Sequence, residues 1–349
     1  MTNCYRALTH VILLAAFSSP LFAQFFSLES TPVSPKREFR SVWLTTVLGL
    51  DWPQIGAPAQ EQEQSLREII RKSEAMGLNA VVFQVVSRGD AMYPSERLPW
   101  APWLSGLPGF DPGWDPLAVA IEESHRLGME LHAWYNVYRI GDSNTPVSST
   151  EEPLHVRFAH PEWVETVGNE YWLNPAFPEL RDWLVENVRE IVEKYDIDAI
   201  HFDFIRTSTS GYARDSELKQ QYNPDNIQDI GDWRRENINK FVRAVYPAVK
   251  GIKPWVKVGS TPIGHYKATA QINWPSLRGY TDVFQDSRRW LQEEVHDYLA
   301  PQVYWAIGQS TDTPRFELLA HDWTNESYER HVYVGIAAYK PNVFVEIPA

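Results

Sequence analysis

The chain has 349 residues, of which 44% are hydrophobic, 22% charged and 13% aromatic, and it carries a formal net charge of −13. This composition can bury a large core and excludes a disordered chain. The acidic balance argues against nucleic acid or an anionic membrane surface as the main partner, because both call for a basic footprint.

The first residues read as an address. Arg6 precedes an apolar stretch over 11–17, and small residues follow up to Ala23, the expected cleavage point of a secretory signal spanning 1–23. The apolar stretch is shorter than the roughly 18 residues of a membrane span. The expectation is therefore a secreted or periplasmic protein without a membrane span. Residues 24–36, with Pro32, Pro35 and several serines, read as a linker, and 37–349 as one domain. The single cysteine, Cys4, excludes a disulfide scaffold and a cysteine-ligated metal site.

From Glu38 onward, short apolar runs alternate with amphipathic helices. Strands are predicted at 41–46, 80–85, 130–136, 199–204, 256–260, 298–304 and 332–337. Most are continuous apolar runs, as expected of parallel strands buried on both faces. A helix over 64–76 places Leu66, Ile69, Ile70 and Met76 on one face and stops at Gly77. Another begins at Pro116, capped by Asp115, and two more run over 178–195 and 232–250. Strand–helix alternation leaves a doubly wound sheet or a (β/α)8 barrel of the α/β class. The first strand–helix turn has no glycine-rich phosphate cradle and no P-loop occurs, whereas long polar, aromatic-rich loops follow most strands. A TIM-type barrel is expected. Only twelve residues follow 337, too few for a helix and another strand, so the barrel is expected without its eighth strand.

In a barrel the chemistry gathers at the C-terminal ends of the strands. The candidate substrate contacts read from those ends are Trp43, Gln84, Arg88, Asp90, His132, Tyr135, Asn136, Arg139, His201, Arg206, Gln302, Tyr304 and Trp305. His132 and His201 also read as hydrogen-bonding residues of the barrel interior or mouth. Asp203 is the sharpest residue, because an aspartate in an apolar strand must be paired or functional. Asp90 and Asp286 lie in further loops of the same face. With Asp203 they offer the two carboxyl groups of glycoside hydrolysis, one as acid and one as base or nucleophile. The first strand lacks the histidine pair of a metal-dependent barrel hydrolase, and no G-x-S-x-G elbow occurs. No metal or other cofactor is expected. Fifteen Trp and sixteen Tyr have two readings, core filling and platforms for sugar rings, and their interleaving with amides at strand ends fits a sugar groove.

Several motifs occur in a family's order: Glu38-Phe39-Arg40-Ser41-Val42-Trp43-Leu44, Phe83-Gln84-Val85, Gly89-Asp90-Ala91-Met92-Tyr93-Pro94-Ser95, Asp115-Pro116-Leu117, His132-Ala133-Trp134-Tyr135-Asn136, His201-Phe202-Asp203 and Ala300-Pro301-Gln302-Val303-Tyr304-Trp305. The chain resembles the bacterial family-10-like glycosyl hydrolases, a group distinct from the true family 10 xylanases. The resemblance spans about 37–340. It implies a (β/α)8-type barrel, a cell-envelope location and hydrolysis of glycan, with peptidoglycan strands stripped of their peptides as the leading substrate and cell-division or cell-wall enzymes as candidate partners. The family's aspartates fall on Asp203 and Asp286. Many members carry a second aspartate where this chain has Phe204, and others have an aromatic followed by Ile-Arg, as in Phe204-Ile205-Arg206. Where that second aspartate is the acid, this chain must use another group, such as Asp286 or Asp90. Two rival readings are a barrel that binds glycan without cutting it and a metal-dependent hydrolase or deacetylase.

Overall fold

The apolar runs form a parallel sheet. In a computed structural model, which describes residues 38–209, 211–308 and 313–339, strand β2 (Ala80–Val86) is buried at every position and β3 (Glu130–Asn136) at all but its first. Helices cover the outer face, so both faces of these strands are dry and neither needs polar alternation. The sheet has seven parallel strands in the order β1 (Ser41–Leu44), β2, β3, β7 (Ala199–Asp203), β8 (Lys257–Ser260), β9 (Tyr298–Leu299) and β10 (His331–Val332). The last two strands are shorter than the sequence predicts. Their ladder nevertheless continues, through Tyr333 N–H to the Leu299 carbonyl and Gly335 N–H to the Pro301 carbonyl, each 2.9 Å. Residues 343–347, which offer a short further strand, and the segments 1–23 and 24–36 lie outside the described residues.

Side-chain caps mark the start of two of the long helices, whereas the helix expected over 64–76 runs over Ala59–Ala75, behind Pro58 and without a side-chain cap. Asp115 accepts from Ala118 N–H at 3.0 Å ahead of the helix Pro116–Arg126, and Asp229 accepts from Asp232 N–H at 2.8 Å ahead of the helix Ile230–Ile252. No helix among the described residues is long and apolar enough to cross a membrane.

Three strands were not expected. After β3 the chain inserts an antiparallel sheet, in the order β4 (Arg139–Asp142), β6 (Glu170–Leu173), β5 (Val164–Val167). Its hairpin turns at Gly168-Asn169, with Gly168 at φ +62°. Two four-residue runs around a Gly-Asn pair are a hairpin signal, so this element was written in the sequence.

The parallel sheet is rolled. Adjacent strands lie about 4.8 Å apart, so a flat sheet would hold β1 and β7 roughly 14 Å apart. Instead the Trp43 indole N–H of β1 reaches His201 Nε2 of β7 at 3.2 Å. Phe39, just before β1, packs its ring 4.5 Å from that of Tyr333, just after β10. Side chains thus bring together the two ends of the sheet across its interior, in the manner of a (β/α) barrel.

A chain of polar groups fills that interior. An indole nitrogen only donates, so His201 Nε2 accepts and His201 Nδ1 carries the proton. His201 Nδ1–H then donates to Tyr298 Oη at 2.8 Å, and Tyr298 O–H donates to His132 Nδ1 at 2.9 Å. His132 Nε2–H completes the run on the Glu130 carboxylate at 2.9 Å, which Lys257 holds from its other oxygen at 2.5 Å. Every donor in this run meets one acceptor with both imidazoles neutral. Burial favours that state by lowering the pKa of each ring. Gly259 leaves the room: a Cβ there would lie 2.2 Å from the Tyr298 ring.

Tyr298→Phe removes the only hydroxyl in the run and strands two buried ring nitrogens. It should cost about 2–4 kcal/mol, read as a lower urea midpoint, and a loss below about 0.5 kcal/mol would show that the run does not hold the barrel.

Candidate functional site

Rolling the sheet gathers the strand ends. At the end of β7, Asp203 is 9% exposed, and its Oδ1 accepts from Phe204 N–H at 2.6 Å and from Gln302 Nε2 at 3.4 Å. Gln302 also donates to the Thr261 carbonyl at 3.1 Å, which fixes its amide between β8 and β9. Burial raises the Asp203 pKa from 3.8 to about 6, against the opposing pull of the Phe204 N–H, Arg206 and Gln302. Asn136 sits beside Asp203 in the β3–β7 register. Its amide accepts from Trp134 Nε1 at 2.8 Å and donates to the Ser87 carbonyl at 2.9 Å.

Phe204 has φ +49°, a left-handed conformation that is rare for an aromatic residue. The turn is held by its N–H on Asp203 and by its carbonyl, which accepts from Tyr138 N–H at 3.2 Å. It places the Phe204 ring under two guanidinium groups, Arg206 at 4.7 Å and Arg139 at 5.5 Å. Trp172, from the inserted sheet, lies edge-on to Phe204 at 5.9 Å and also faces Arg206 at 5.3 Å. Arg139 is tied to Glu170 at 2.7 Å, and Arg88, 7% exposed, lies 3.6 Å from Asp142. Where many relatives are expected to carry a second aspartate, this chain therefore builds an aromatic and cationic corner. Trp172, Glu170 and Asp142 were not among the expected contacts, because the inserted three-stranded sheet that carries them was not expected.

Asp90 lies in the same loop as Arg88. Its Oδ1 accepts from Ser87 Oγ at 2.9 Å and from Arg88 N–H at 3.0 Å, while its buried Oδ2 has no hydrogen-bond partner among the described residues. Asp286 stands at the head of the helix Ser287–Gln292, where its Oδ1 accepts from Tyr266 Oη at 2.7 Å. It lines an open cleft of about 730 Å³ with Tyr280, Arg288 and Tyr328, and none of the residues that touch Asp203 lines that cleft. Asp203 and Asp286 share no hydrogen-bond partner among the described residues, although Gln285, next to Asp286, donates to the Ile205 carbonyl at 3.1 Å.

The remaining expected contacts divide. Tyr304 is raised in pKa by burial and by the Asp203 charge, which places its hydroxyl in the field of that carboxylate, and Trp305 packs half-buried against the core. Trp43, His132 and His201 belong to the interior run, with all four imidazole nitrogens taken by protein groups. Gln84 uses its side-chain oxygen on Thr46 and Val47 N–H, both at 3.0 Å, holding the turn after β1. Tyr135 faces outward and accepts from Asn187 of the helix Pro178–Lys194 at 3.2 Å. Strand alternation, with Trp134 and Asn136 inward, requires that orientation. Among the described residues, no three His, Cys, Asp or Glu side chains converge as a metal-ligand set.

The family described as glycosyl hydrolase-like 10 matches residues 38–347. Glycosyl hydrolase YngK of Bacillus subtilis (strain 168) is 40% identical over 317 residues, covering 88% of this chain and 62% of that protein. Glycosyl hydrolase DigH of Escherichia coli (strain K12) is 33% identical over 334 residues, covering 89% of this chain and 75% of that protein. The chain thus spans less than two thirds of the Bacillus relative. Two solved structures share the fold at low identity. One is alpha-L-fucosidase isoenzyme 2 from Paenibacillus thiaminolyticus (TM-score 0.51, 17% identity, 86% of this chain and 46% of that one). The other is the catalytic domain of beta-amylase from Paenibacillus polymyxa (TM-score 0.53, 12% identity, 86% and 85%). On the extent of the family match and the identity to these relatives, the chain belongs to the glycosyl hydrolase-like 10 family.

Proposed function

We propose that this protein is a glycoside hydrolase that cuts glycan strands of the cell envelope, with peptide-stripped peptidoglycan as the substrate and Asp203 as the general acid. The observation that carries the reading is Asp203 itself, a carboxyl group at a strand end of the barrel's active face whose pKa burial raises to about 6. A general acid must hold its proton at working pH and release it as the bond breaks. Protonated Asp203 gives its proton to the glycosidic oxygen, and the leaving sugar departs as an alcohol. A second carboxylate then either activates water on the opposite face or forms a glycosyl ester that water opens. Asp286 and Asp90 are the candidates on this face. Asp286 must be reached from the neighbouring cleft, and Asp90 lies buried behind Ser87. The signal-like layout of 1–23 supports export to the periplasm or beyond.

Incubation with stripped glycan strands, followed by mass spectrometry, should yield short saccharides. Asp203→Asn should lower the rate about 10²- to 10⁴-fold, while Asp286→Asn and Asp90→Asn, tested singly, identify the second group. Binding without product from the wild type would instead support a glycan-binding barrel. The acid must be protonated, so kcat/KM should fall tenfold per pH unit above about pH 6.

The same pKa fixes a stability test. The native state holds the Asp203 proton more tightly than the unfolded chain does, so an ionised Asp203 opposes folding above about pH 6, and this cost fades as pH falls towards 3.8. Asp203→Asn should therefore stabilise the protein by up to about 3 kcal/mol at pH 8 and by almost nothing at pH 4. A variant no more stable than wild type at pH 8 would contradict the buried-acid assignment.

A further inference from the structure

We propose that Arg206 recognises a carboxylate carried by the substrate, so that the site selects sugars with a free acidic arm. In the peptidoglycan reading, on which this inference rests, that arm is the lactyl carboxylate that an N-acetylmuramyl unit exposes once its peptide is removed.

Three guanidinium groups crowd this corner, and they are not equivalent. Arg139 has Glu170 at 2.7 Å and Arg88 has Asp142 at 3.6 Å. Among the described residues Arg206 makes no ion pair, and its one hydrogen bond there is a 3.4 Å contact to the neighbouring Thr207 carbonyl. It is held by ring faces instead, those of Phe204 at 4.7 Å and Trp172 at 5.3 Å. Aromatic faces fix a guanidinium without consuming its in-plane N–H groups. What remains is an oriented fork of donors beside Asp203, the geometry that takes a carboxylate through two parallel hydrogen bonds.

The charges around Arg206 favour the same ligand. Burial disfavours the Arg206 cation, and the Asp203 carboxylate is the largest of the charges that offset this across space, ahead of Tyr212 and Glu170. When Asp203 is protonated, as a general acid must be, that counter-charge is gone. A substrate carboxylate restores it, and its negative charge in turn keeps the proton on Asp203. A peptide amide does neither, since it is neutral and adds bulk at the same point.

The test compares stripped glycan strands with the same strands after their lactyl carboxylates have been coupled to methylamine. Wild-type kcat/KM should fall about 10- to 100-fold on coupling, mainly through KM. Arg206→Gln should cut both substrates at one low rate, and Arg206→Lys should keep part of the preference. Equal cleavage of both substrates by wild type would overturn the carboxylate proposal while leaving the glycosidase reading in place. If neither substrate is cut, the glycosidase reading fails, and calorimetric titration of wild type with the two strands decides the carboxylate question alone. Tighter binding of the free-acid strand sustains the proposal, and equal or absent binding overturns it.

Discussion

The Tyr298 hydroxyl, shared by His132 and His201 across the inside of the sheet, is the interaction on which the rest of the molecule depends. Three strands that would otherwise lie flat are drawn around one oxygen. Trp43 and Phe39 extend the closure to the first strand, and Gly259 supplies the space for the Tyr298 ring. Without that curvature the ends of β3, β7 and β9 would point in parallel. With it, Asn136, Asp203 and Gln302 converge, and the inserted hairpin is brought over Phe204. The polar run also explains why two buried histidines need neither a metal nor a charge: each ring nitrogen already has a partner of the right sense.

The site follows from local chemistry at one strand end. An aspartate placed where the apolar strand stops is buried enough to hold its proton, yet anchored by one backbone N–H and one amide. The next residue turns left-handed, and its ring becomes a base for arginines. Burial and charge are balanced against each other there. Dryness raises the pKa of the Asp203 carboxyl group and disfavours the Arg206 cation, so each charge is costly without the other, and no fixed ion pair joins them among the described residues.

Much of this was legible in the residues. Continuous apolar runs gave the parallel strands because strands buried on both faces have no polar alternation, and Asp203 stood out because an aspartate has no bland place in such a run. Asp115 gave the start of the helix Pro116–Arg126, but the helix read from 64 begins at Ala59, where no side chain caps it and polar residues fill the first turn. The inserted sheet was lost because its strands are four residues long and sit in a polar loop, although Gly168-Asn169 marked the turn. Tyr135 was placed on the site face by its position near a strand end, where the two-residue alternation should have turned it outward. The cleft that Asp286 lines could not be read at all, since neither sequence distance nor residue type says which cleft a loop carboxylate faces.

The proposed chemistry turns on whether burial holds a proton on Asp203. Carbon-13 NMR of aspartate side-chain carboxyls, with Asp203→Asn to assign the signal, measures this directly. A titration midpoint near pH 6 is the predicted result. A midpoint near 4, the ordinary aspartate value, would contradict the account, because an ionised Asp203 could not donate the proton that the proposed cleavage requires.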